Sequence, residues 1–138
     1  MNRNRLALIA LIVVVVAFLG GLLLGRSGRP AVEQARDQAE LQLDLERARV
    51  SILHGRLELF GSNFGNASQQ FDRARAPLAA ARDRLNAIGR TSEAGQIDRA
   101  LNAITEAQQL SLAQDRQADA KATEALRELE NLGAPAGQ

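Results

Sequence analysis

Leu6 to Leu24 is a run of 19 residues without a single charged or strongly polar side chain. At about 1.5 Å of rise per residue a helix of that length reaches roughly 28 Å, close to the hydrocarbon thickness of a bilayer. Arg3 and Arg5 precede the run, and Arg26 and Arg29 follow it. The pattern predicts a single-pass transmembrane helix over residues 6–25, after a short basic tail at 1–5 and before a juxtamembrane linker at 26–30. A cleaved signal peptide is the alternative. Its apolar region would be about 7–15 residues long and would end in a small-residue site, whereas Leu24 is followed by Gly25-Arg26-Ser27-Gly28-Arg29-Pro30. An uncleaved signal-anchor is therefore expected.

Positive flanks tend to stay cytoplasmic. The short N-terminal tail carries undiluted positive charge, while Glu33 and Asp37 soon follow the C-terminal pair. The expected orientation places the N-terminus in the cytoplasm and the remainder outside. Arginine supplies all but one of the 17 basic residues. With abundant alanine, this points to a GC-rich bacterial genome, and hence to the inner membrane with a periplasmic domain. Within the span, Ala17, Gly21 and Gly25 recur every four residues. Small residues on one helix face let two backbones approach, so they are candidates for self-association.

All 16 acidic residues lie beyond residue 30, against 13 of the 17 basic ones, so that region is mildly acidic. Nucleic-acid binding needs a basic surface to displace counterions, and this balance argues against it. Cysteine, tyrosine and tryptophan are absent. That excludes disulfides and thiolate sites and leaves few rings for a flat ligand or a sugar.

Residues 31–133 read as one small all-α domain with a flexible tail at 134–138. Helix formers dominate, and glycines stand where helices should stop. The first helix is expected over about 30–60. It begins at Pro30 as a weakly amphipathic stalk and gains a broad apolar face, with Leu45, Ala48, Ile52 and Leu59 on one stripe, widened by Val50, Leu53, Leu57 and Phe60. The second is expected over 64–88. Phe64, Ala67, Phe71, Ala74, Leu78, Ala81, Leu85 and Ile88 alternate in steps of three and four and form a packing seam. Pro77 falls inside it and predicts a kink or break near Arg73–Pro77. Two more helices follow at about 92–113, capped by Thr91 or Ser92, and at 117–132, capped by Asp115; a single helix from about 93 to 131 is the alternative. The sum is an antiparallel bundle of three or four helices behind a membrane anchor.

Gly55, the stretch Asn63-Phe64-Gly65-Asn66-Ala67, and then Phe71 and Ala74 together resemble one helix–turn–helix unit of a tetratricopeptide repeat (TPR). A weaker echo stands at Ala122, Leu126 and Leu129, 55 residues on, where a tandem array would recur at about 34. The resemblance implies TPR-like hairpins and a protein-interaction surface in place of an active site.

No constellation carries catalysis. His54, the sole histidine, shares a helix face with Glu58, but two ligands do not make a metal site. Its nearest serine, Ser51, does not complete a nucleophilic arrangement. Gly61-Ser62-Asn63-Phe64-Gly65 lacks the Gly-Lys-Ser/Thr ending and the preceding strand of a phosphate loop. Alternating acids and arginines, such as Asp72/Arg73 and Asp98/Arg99, read as solvated faces. The chain is thus expected to be non-enzymatic, with no cofactor, metal or small-molecule substrate. It would work as a membrane-anchored interaction or scaffold protein whose partners are the bilayer, another protein, or a second copy of itself. A coiled-coil spacer that oligomerises through long heptad helices is the alternative.

Overall fold

The computed structural model describes the backbone of residues 3–132 and the side chains of residues 31–132. Within that range it is entirely helical: α1 Arg3–Phe60, α2 Phe64–Ala87, α3 Thr91–Leu112 and α4 Gln117–Glu130. The chain divides into two units, Met1–Gln38 and Ala39–Gln138. In the first, residues 31–38 expose every side chain. The expected span over residues 6–25 lies outside the described side chains; among those that are described, no helix is long and apolar enough to cross a membrane.

The second unit is a bundle. Each helix runs antiparallel to the next, as the cross-helix ion pairs show. Arg84 of α2 reaches Glu40 at 2.6 Å and Asp44 at 3.2 Å on α1, while Phe71, one half of α2 away, faces Gly55. Arg82 of α2 meets Asp98 of α3 at 3.4 Å, and the Gln108 amide of α3 donates to Asp72 at 3.4 Å. Arg99 and Glu106 of α3 pair with Glu128 and Lys121 of α4. The fourth helix then returns to the first. Arg56 pairs with Asp119 at 2.7 Å, and the Arg49 guanidinium donates to the Leu129 carbonyl at 2.9 Å. Four antiparallel helices on short turns, with the last packed on the first, form a closed up-and-down bundle.

Alanine makes that closure tight. Of the twenty buried apolar side chains among the described residues, eleven are alanine, and side chains that small let helix backbones approach closely. Phe71, Ile52, Leu78, Leu85, Ile97, Ile104 and Leu129 fill what remains.

All three turns use one device. Ser62, Gly89 and Gln114 adopt positive φ, at 60°, 78° and 56°. In each turn the residue's own N–H bonds back three positions, to Leu59, Asn86 or Ser111. The next N–H bonds back five, to Glu58, Leu85 or Leu110. This is the Schellman pattern, which satisfies the carbonyls a helix end leaves open. Gly61, the expected stop of α1, is thus followed by the left-handed residue, Ser62. Only the second turn places a glycine there.

Caps differ from the sequence reading as well. Arg90, not Thr91 or Ser92, occupies the N-cap of α3. Arg116 occupies that of α4, and the Asp115 carboxylate accepts the N–H of Gln117 at 2.8 Å. α2 is one helix through Pro77; of the kink or break expected near Arg73–Pro77, the break is absent. The ring lies on the half-buried edge of the helix, where the Arg73 carbonyl that it deprives of an N–H is not sealed in the core.

Candidate functional site

The α2 seam supplies the core rather than a ligand site. Ala67, Phe71, Ala74, Leu78, Ala81 and Leu85 are all buried. The two ends of the expected seam are not. Phe64, the first residue of α2, is half-buried, and Ile88 is 54% exposed. Ile88 sits at the C-cap, where the chain turns into Gly89, so no facing helix covers it. The seam is one turn shorter at its end than the three-four alternation reads. Ala17, Gly21 and Gly25 lie outside the described side chains.

Phe71 is held by a gap. A Cβ built on Gly55 would lie within 2.9 Å of three atoms of the Phe71 ring. The ring therefore rests against the α1 backbone, which only glycine permits.

The surface of interest is on the far side of α1. Leu41, Leu45, Ala48 and Ile52 face the core. Val50, Leu53, Leu57 and Phe60, expected to widen that stripe, instead stand exposed, as does Leu43; Phe60 is 76% exposed. They form a second stripe, nearly opposite the first. The reason is geometric. A helix in a bundle buries only the stripe that faces its neighbours, and the eight apolar positions span more than that stripe.

Between this stripe and α2 runs an open groove of about 690 Å³, lined by Leu43, Val50, Ala76, Pro77 and Ala80, with Asp44, Glu46, Arg47 and Arg73 at its rim. At the α1–α2 turn a smaller recess of about 250 Å³ lies between Phe60, Phe64, Arg116 and Asp119.

Several charged side chains hold helices together, among them Arg56 with Asp119, Arg84 with Glu40 and Asp44, and Arg99 with Glu128. The Glu58 carboxylate accepts from the Asn63 amide at 2.9 Å and from Asn66 at 3.4 Å, which ties it to the α1–α2 turn. His54 stands exposed on α1. Among the described residues, no three His, Cys, Asp or Glu side chains gather where a metal ion could sit. Hydrogen bonds to Glu106 and Glu124 push the Lys121 ammonium above its usual range. Those to Asp83 and Asp98 do the same for Arg82.

The chain matches no protein-family model, no curated protein and no solved structure. Its functional reading rests on its own residues.

Proposed function

We propose that this chain is a membrane-anchored, non-enzymatic interaction or scaffold protein. Its apolar segment 6–25 holds it in a bacterial inner membrane with the N-terminus cytoplasmic, and its bundle is presented on the periplasmic side. The observation that carries the reading is the exposed stripe Leu43, Val50, Leu53, Leu57 and Phe60 on α1. A bundle this rich in alanine has little apolar surface to spare, and a contiguous outward stripe is a place for another protein. The TPR likeness supports the same reading at the level of the α1–α2 hairpin, where Gly55 receives the Phe71 ring. It is proposed for that hairpin alone, since α4 returns to α1 and an open stack of helix pairs makes no such contact.

Two measurements test this. The full chain, expressed in bacteria, should stay with the membrane fraction through an alkaline carbonate wash. Protease should reach the bundle from the periplasmic face only. A chain released by the wash, or digested only from the cytoplasmic face, overturns the anchor or the orientation respectively.

The spacer reading is favoured by one observation, the seven-residue spacing of Leu43, Val50 and Leu57 along α1. It is distinguished by the α1–α4 contacts. In an extended coiled coil they would not exist, and Asp119→Ala would leave stability unchanged.

A further inference from the structure

The outward stripe of α1 has the order of a coiled-coil seam. Leu43, Val50 and Leu57 fall at one heptad position, and Glu46, Leu53 and Phe60 fall three residues after each. In the heptad notation these are a and d. The segment is two and a half heptads long, so a straight helix drifts by only about 50° across it and keeps the seam on one side. Five of the six positions are apolar and exposed. The sixth, Glu46, has a side chain 59% exposed, and the neighbouring Arg47 is 64% exposed.

We infer that this face of α1 pairs, parallel and in register, with the same face of a second copy of the chain, while each bundle stays closed. Charge selects the occupant and its direction. In a parallel pair, a d side chain enters a hole made by the facing helix's a, d, e and next a residues. For Glu46 those are the second copy's Leu43, Glu46, Arg47 and Val50. Each Glu46 thus meets an Arg47 across the axis, twice by symmetry, which offsets the two facing carboxylates. In an antiparallel pair d layers face a layers, so Glu46 would sit against leucine or valine, with only the Arg49 of its own chain, 2.5 Å away, as a cation.

Area then says how the second copy must be held. Residues 43–60 span about 27 Å, and at a helix width near 10 Å the footprint is roughly 270 Å² per copy. Stable free-standing interfaces bury about 800 Å² per partner. A face this small does not hold a partner from dilute solution. It suffices between copies confined to one membrane, where the second encounter is effectively intramolecular. The inference therefore rests on the anchored reading proposed above.

The chain has no cysteine, which gives a clean test. Full-length Val50→Cys, Leu57→Cys and, as a control on the exposed face of α3, Asn102→Cys are reconstituted into phospholipid vesicles, washed with carbonate and oxidised. The expected result is a disulfide-linked dimer at Val50→Cys and Leu57→Cys, with none above background at Asn102→Cys. Adding Leu43→Glu and Leu53→Glu should abolish that dimer, while circular dichroism and the melting temperature stay unchanged. Vesicle-bound chains that cross-link no better than the control overturn the pairing and leave the anchor standing. So does cross-linking of Leu43→Cys to Leu57→Cys in preference to self-pairs, which would mean antiparallel packing. A chain that the carbonate wash removes overturns the anchor and the pairing together.

Discussion

Gly55 and Phe71 occupy each other's space. The phenyl ring of α2 lies where any side chain on α1 at position 55 would begin, within 2.9 Å of a Cβ at three ring atoms. Gly55→Ala should therefore lower stability even though alanine is the better helix former by about 1 kcal/mol. Overpacking of a closed core costs about 1–3 kcal/mol, and the net loss expected is about 1 kcal/mol, or roughly 4–8 °C in melting temperature. Phe71→Leu in the Gly55→Ala background should recover part of it. Thermal unfolding of the two single variants and the double variant measures the coupling.

The left-handed turn residues predict the opposite sign. Gln114 holds φ at 56°, a conformation that costs an L-residue about 1–2 kcal/mol. Gln114→Gly should stabilise by about 0.5–1 kcal/mol after the larger chain entropy of glycine is counted. Gly89, at φ 78° with open space around its Cβ position, should show a pure backbone effect. Gly89→Ala is expected to cost about 1 kcal/mol with no steric contribution. Urea midpoints at unchanged slope would establish both.

Lys121 predicts an alkaline transition. Its hydrogen bonds to Glu106 and Glu124 raise the ammonium above its ordinary range. A raised base stabilises the folded state fully below the unfolded value, near about 10.4, and loses that contribution as pH climbs through the folded one. The chain has no tyrosine or cysteine and only this one lysine, so between roughly pH 9 and 12 no other side chain titrates. The gap in melting temperature between the wild-type chain and Lys121→Met should be flat to about pH 10 and close above it. A gap that persists at the highest pH would assign the effect to packing of the lysine stem.

Arg49 predicts the cost of opening the ring. Its guanidinium donates to the Leu129 carbonyl at the end of α4 and pairs with Glu46 on α1. A cation at a helix C-terminus satisfies a carbonyl and complements the dipole. Arg49→Ala should cost about 1–2 kcal/mol. It should speed amide exchange in the last turn of α4 more than in α2, which hydrogen exchange followed by mass spectrometry resolves.

The all-helical class was legible, but not the number of helices: residues 92–132 read as two helices or one, and the linker expected at 26–30 lies within α1 Arg3–Phe60. Periodicity and turn chemistry are local, and glycine at the ends of α1 and α2 announces two stops. The buried run from Ala67 to Leu85 followed from the same arithmetic. What failed did so for one physical reason. Apolar character records that a residue prefers to leave water, not which neighbour lets it do so. Val50, Leu53, Leu57 and Phe60 read as a widening of the core stripe. They stand outside because α2 and α4 cover only the arc centred on Ala48 and Ile52. Ile88 reads as the eighth seam position, and the helix it would pack on has already turned away.

The sequence alone determined the helical class, the apolar segment at 6–24 and the periodicities that every helix obeys, since these depend on residues a few positions apart. Tertiary structure decided that α4 closes onto α1, through Arg49 and Arg56. It also decided that α1 carries two apolar faces with only one of them used within the bundle. Those outcomes depend on which surfaces meet between distant stretches of chain, and no local pattern encodes the meeting.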